Sequence, residues 1–143
     1  MAGYHLQPIK KGKLGFVSKI QEELDEINDS IKQDVRIMVM VELSDLIGAV
    51  KLVAEKQGFN FKDILYSKLS PIPGSLDSLQ TAINEAQAAE DNQDKTILLQ
   101  KLKEIVIITE EFALFYDCHL QDLVAMQTVT ERAFTSGSRK SNE

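Results

Sequence analysis

The chain reads as an all-α protein, a helical bundle built on an antiparallel helical hairpin. Three observations predict it. From Val35 to Glu55 the sequence is almost unbroken apolar, with Val35, Ile37, Met38, Val39, Met40 and Val41 followed by Leu46, Ile47, Ala49, Val50, Leu52 and Val53. A segment this long and this evenly apolar reads as a helix buried on most of its surface. Just before it, Val17, Ile20, Leu24, Ile27 and Ile31 recur at helical spacing. Between the two patterns, Asn28, Asp29 and Ser30, then Lys32, Gln33 and Asp34, are polar and mark a turn that would fold one helix back on the other.

Taken in order, residues 1–13 contain Pro8, Gly12, Lys10, Lys11 and Lys13 and read as an extended arm, with the first helix beginning near Phe16 to Ser18. The arm has two readings: a solvated, fraying terminus, or a basic loop near acidic residues and available to phosphate. The second helix should end near Gly58, a natural residue for the position after a helix. Phe59 to Tyr66 then reads as a short helix capping the hairpin with its aromatics. Ser70-Pro-Ile-Pro-Gly-Ser75 is the clearest break. Ser75 or Asp77 can cap a helix carrying Leu76, Leu79 and Ile83, and Glu90 to Asp94 is the next turn. Leu98, Leu102, Ile105, Val106, Phe112 and Phe115 predict a long amphipathic helix through about Asp117, and a last helix runs from Leu120 to Phe134. Thr135 to Glu143 is polar and reads as mobile.

With 143 residues, the chain fits one compact domain with a real core. Residues 1–70 hold the hairpin and its arm, and residues 71–143 form a second helical half. The halves resemble each other faintly, each a helix, a polar turn, a longer apolar helix and a short one, as a degenerate repeat would. The second half is assigned to packing or oligomerisation. A net charge of −6 argues against general binding to nucleic acid or to an anionic membrane. No apolar run approaches the roughly 20 residues of a membrane span, and no signal-peptide core is evident. The single cysteine, Cys118, excludes an internal disulfide, suits a reducing cytoplasm, and reads as a small buried apolar residue.

The functional signal lies in the hairpin's acids. Glu42 and Asp45 share one face of the second helix with Met38, Ala49 and Leu52. Buried charges must be paired or must coordinate a metal, and that helix offers as bases only Arg36, Lys51 and Lys56. The first helix adds Glu22, Glu23 and Glu26. If the turn centres near Asp34, then Glu26 and Glu42 lie eight residues either side of it and Glu23 and Asp45 eleven. All four would meet at one height, roughly 12–17 Å from the turn at about 1.5 Å per residue.

The pattern Glu22-Glu23-Leu24-Asp25-Glu26, fifteen residues, then Glu42-Leu43-Ser44-Asp45 resembles the EExxE…ExxD motif of the MazG-like nucleoside triphosphate pyrophosphohydrolases, the all-α NTP pyrophosphatases. A looser similarity to short phage and bacterial MazG-like proteins takes in Tyr4-His-Leu6, Gly12 to Ile20, Glu42 to Ala49 and Thr130 to Phe134. The stretch from Pro71 to about Glu111 is extra relative to those proteins. The resemblance implies hydrolysis of an NTP or dNTP between its α- and β-phosphates, giving the monophosphate and pyrophosphate. It implies that Glu23, Glu26, Glu42 and Asp45 bind Mg²⁺, with Mn²⁺ as a substitute and Glu22 as a further candidate acid. Mg²⁺ takes carboxylate and phosphate oxygens and keeps several waters, so an acidic cluster would bind metal–nucleotide rather than the bare anion. Glu23 is the candidate to orient or deprotonate the attacking water. Lys19, Lys10, Lys11, Lys13, Arg132 and Arg139 are candidates to hold the triphosphate. The resemblance also implies a homo-oligomer, a dimer or tetramer.

Two other readings compete. A carboxylate-bridged di-iron bundle needs Glu-x-x-His pairs, and His5 and His119 are at the wrong offsets. A non-catalytic helical module that binds nucleotide or a partner helix, with a vestigial site, is compatible with every residue above.

Overall fold

The computed structural model describes residue 6 and residues 8–135, with side chains to residue 129. It is helical, with no strand among the described residues. Among the described residues six α-helices follow in order: α1 (Val17–Gln33), α2 (Arg36–Gln57), α3 (Phe61–Leu65), α4 (Leu76–Asp91), α5 (Lys95–Ala113) and α6 (Leu120–Thr135), with a 3₁₀ turn at Leu114–Tyr116.

The α1–α2 connection is tighter than the polar composition of residues 28–34 suggests. Asn28 to Gln33 are helical, and the reversal is made by Asp34, left-handed at φ 59°, and extended Val35. The Asp34 and Val35 N–H groups return to the Ile31 and Ser30 carbonyls, satisfying the last carbonyls of α1 as an αL cap does. Asp29 and Ser30, read as turn, are instead buried on the inner face of α1. At its far end α2 stops at Gly58, at φ 82°, and Asn60, Ser75 and Asp94 each cap the following helix with a side-chain oxygen.

The second half packs on the first. α4 and α5 form their own hairpin, α4 lies along α1, and α5 and α6 pack on α2. One apolar cluster joins Ile20, Leu24, Leu43, Ile47, Leu79, Ile83, Leu102 and Leu123. Gln21 and Gln80 exchange hydrogen bonds of 3.0 and 2.6 Å between α1 and α4. Gly74 lies so close to α5 that a Cβ there would stand 2.4 Å from the Phe112 nitrogen, which fixes the Pro-rich connection against the bundle. Cys118 is buried, as an apolar residue would be.

Three boundaries differ from expectation. α3 is shorter than Phe59 to Tyr66, because Asn60 must stay extended to cap it. The α-helical part of α5 ends at Ala113 and tightens into 3₁₀, closed by Asp117 at φ 55°. α2 is not buried all round: Ile37 is 70% exposed and Val41 and Leu52 are partly so. No described helix is long and apolar enough to cross a membrane.

Candidate functional site

The hairpin's inner face carries a run of acids that folding removes from water. Glu22, Glu23, Asp29 and Glu42 are buried, and Glu26 and Asp45 are half-buried. On α1 the sequence positions 22, 26, 29 and 33 step round by one turn each, so Glu22, Glu26 and Asp29 form a stripe facing α2 and the N-terminal arm.

Glu22, Glu23 and Glu26 each offer a carboxylate oxygen within 4.8 Å of the others. The α2 acids lie beyond that triad but within its field. Burial first, then the charge and hydrogen bond of Glu26 and the charge of Asp45, push Glu23 up to about 10. Burial also pushes Glu42 up to about 7, with Glu26, Asp45 and Asp29 adding to the rise and a hydrogen bond from Ser30 opposing it. Glu23 thus feels Glu26 and Asp45, and Glu42 feels Glu26, Asp45 and Asp29, across the hairpin. A buried carboxylate among like charges holds its proton unless a cation compensates it.

Partial compensation comes from a residue on α1 itself. The Lys19 ammonium is 3.1 Å from Glu22 Oε2 and 3.5 Å from Glu23 Oε1. Burial opposes the charge on Lys19, but Glu23, Glu22 and Glu26 outweigh it and raise its pKa. The counter-charge is an i,i+3 and i,i+4 neighbour on the same helix. Even so, Glu23 Oε2 is buried with no hydrogen-bond partner. An unsatisfied carboxylate oxygen inside a cluster of hard oxygen donors is the feature a divalent cation would fit.

Two contributors escaped the sequence reading. Ser30, fully buried, donates from its hydroxyl to Glu42 Oε1. Asp29 accepts from the Leu6 N–H at 2.8 Å and from Gln33 Nε2 at 2.6 Å. Their helical offset from Glu22 and Glu26 was the available signal, hidden by composition that looks like a turn.

The arm lies beside this face. The Gly12 N–H donates to Glu22 Oε1 at 2.7 Å and the Lys13 N–H to Ser18 Oγ at 3.0 Å. Lys10 and Lys11 are exposed, whereas the Lys13 ammonium lies 4.7 Å from the Phe16 ring centre, a ring that Lys56 also approaches at 4.7 Å. Arg139 and the side chain of Arg132 lie outside the described residues. The acids of the second half are arranged differently: Lys101 pairs with Glu85 at 3.2 Å and Glu104 at 3.3 Å, and Glu90 Oε2 accepts the Val17 N–H at 2.9 Å, capping α1 from α4. A cleft of about 760 Å³ opens among Gly58, Asn60, Lys62, Tyr66 and Lys103, at the opposite end of α2 from the reversal at Asp34. No protein-family model matches this chain, and neither a curated protein nor a solved structure matches it.

Proposed function

We propose that the acid face of the α1–α2 hairpin is a divalent-metal centre and that the protein is a nucleoside triphosphate pyrophosphohydrolase, converting an NTP or dNTP to its monophosphate and pyrophosphate. The observation that carries the metal centre is the buried, unpartnered Oε2 of Glu23 inside the Glu22–Glu23–Glu26 triad. The choice of reaction rests on the EExxE…ExxD pattern and its resemblance to the MazG-like enzymes.

In this reading Glu23, Glu26, Glu42 and Asp45 hold Mg²⁺ or Mn²⁺, with Glu22 beside them. The bound cation would neutralise phosphate charge and lower the pKa of a water in its shell. The protein's own groups do the remainder. Glu23, held ionised by the cation it helps to bind, would orient the attacking water or accept its proton. Ser30 fixes the orientation of Glu42 through its hydroxyl. Lys19 is tied to Glu22 and Glu23, so its charge would turn to a phosphate only when a metal relieves it of that role. Lys10, Lys11 and Lys13 are the arm's candidates for the same task, and Arg132 and Arg139 those of the C-terminal end.

The test is incubation with each NTP and dNTP in Mg²⁺, with pyrophosphate and inorganic phosphate measured separately. The expected result is pyrophosphate with at least one nucleotide, abolished by a chelator. No pyrophosphate from any of them at high enzyme concentration would overturn the assignment. It would favour the alternative, a non-catalytic helical nucleotide-binding or interaction module, for which Lys19 already acting as a counter-ion to the acids is the supporting observation.

A homo-oligomer belongs to the same proposal. Ile37 and Phe115 are 70% and 72% exposed, and an Arg36–Asp117 pair at 3.3 Å ties the start of α2 to the segment that follows Phe115. Light scattering should give a mass of two or four chains, and a strict monomer would mean that the second half completes the bundle alone.

A further inference from the structure

The arm is fastened to the acids themselves rather than to the apolar core. Its Leu6 N–H donates to Asp29 Oδ1 at 2.8 Å and its Gly12 N–H to Glu22 Oε1 at 2.7 Å. These attachments span the stripe from Asp29 to Glu22, about 10 Å of helix at 1.5 Å per residue. Beyond them the Lys13 N–H reaches Ser18 Oγ, and its ammonium rests on Phe16. Gly12 is required for this seat, because a Cβ there would stand 2.1 Å from the Ser18 carbonyl oxygen. Hydrogen bonds to a carboxylate are strong because the acceptor is charged. Lys10 and Lys11 lie on the arm between the Leu6 and Gly12 attachments, exposed.

We propose that Leu6 and residues 8–13 form a strap that competes with a divalent cation for the hairpin's acid face, so that metal binding and strap release are coupled. The proposal rests on the metal-centre reading above. The strap is held by the same carboxylate charge that a cation would neutralise. Its Gly12 N–H occupies Glu22 Oε1 while Lys19 occupies Oε2, so both oxygens of one triad member are engaged before a metal arrives. A cation that takes up the charge of Glu22 weakens the Gly12–Glu22 bond of the strap, and by reciprocity the seated strap weakens the cation's binding.

Mn²⁺ affinity, read from the electron paramagnetic resonance signal of the free ion, should be at least about fivefold tighter in Gly12→Ala than in the wild-type chain, the lower end of typical coupling between sites. In the wild-type protein Mg²⁺ should speed hydrogen exchange at the Leu6 and Gly12 amides. Glu22→Gln keeps an acceptor for Gly12 while removing the anion, so its strap amides should no longer respond to Mg²⁺; this second variant reads the coupling even if Gly12→Ala folds poorly. Wild-type Mn²⁺ binding with unchanged or weaker affinity in a folded Gly12→Ala, or with strap amides indifferent to Mg²⁺, overturns the strap and leaves the metal centre standing. No Mn²⁺ binding by either protein overturns both.

Discussion

In the presence of a chelator the thermal midpoint should fall as the pH is raised from about 5 to about 9, and saturating Mg²⁺ should reverse much of that fall. Two buried carboxylates set the direction. Glu23 is pushed up to about 10 and Glu42 to about 7, burial being the leading cause in both. An unfolded glutamate titrates near 4.3. Below that value folded and unfolded chains both carry the protons, and the contribution of these groups to stability is fully present. As the pH rises the unfolded chain ionises freely while the folded chain must keep its protons or bury charge. Stability is therefore lost progressively, through about 7 for Glu42 and on towards about 10 for Glu23. Each kcal/mol of that penalty lowers the midpoint by about 3–5 °C in a chain of this size. Metal binding requires the ionised carboxylates, so stabilisation by Mg²⁺ should grow with pH, opposite in sign to the behaviour under chelation. Glu23→Gln removes the larger contribution and should flatten the chelated profile. Scanning calorimetry of both proteins at several pH values checks this. A midpoint that stays level or rises between about pH 5 and pH 9 in chelator, or a Glu23→Gln profile as steep as wild type, would contradict the burial of an only partly compensated acid at position 23.

How much of this could be read from residues alone depended on whether the information was local. Helix α1 starts at Val17 and α2 stops at Gly58, as the apolar spacing and the glycine predict, because caps and periodicity act within one or two turns. The α4 cap is Ser75 rather than Asp77, a choice spacing left open. Composition misled at Asn28 to Gln33, where polar residues imitate a turn but are helical, with Asp29 and Ser30 buried against arm and acids; a buried polar side chain with a partner looks, in sequence, like a solvated one. The relations that join distant segments were invisible: Glu90 capping α1 across 73 positions, Leu6 reaching Asp29, Ser30 reaching Glu42. Lys19 illustrates a different blindness. Its spacing from Glu22 and Glu23 was in plain view, but an ion pair at i,i+3 contributes little on an exposed helix, and only the burial of Glu22 and Glu23 with a half-buried Lys19 makes it a structural counter-charge. That same burial separates the hairpin from Glu85 and Glu104, whose carboxylates are paired through Lys101.

Glu42→Gln and Asp45→Asn should each abolish measurable pyrophosphate release, a loss on the order of a thousandfold or more if each acid supplies several kcal/mol of charge stabilisation to the metal–triphosphate assembly. Neither should unfold the chain. Glu42 is only 3% exposed and sits in the field of Glu26, Asp45 and Asp29, so a neutral isostere relieves repulsion and desolvation while its amide oxygen can still accept from the Ser30 hydroxyl. Above about pH 7, where wild-type Glu42 must ionise, the Glu42→Gln midpoint should therefore equal or exceed that of wild type in chelator. Ser30→Ala separates the two functions of this residue. It deletes the one contact that favours the Glu42 anion, so the Glu42 pKa should rise further and the acid limb of the activity profile should move to higher pH, with activity recovered on the alkaline side. A merely structural Ser30 would lower the activity of the folded enzyme equally at every pH. Full activity in Glu42→Gln or Asp45→Asn would remove α2 from the metal centre. Only the α1 triad would then be left, three acids from one helix with Lys19 already among them, and a triphosphate gripped between two helices would no longer be a sustainable reading of the hairpin.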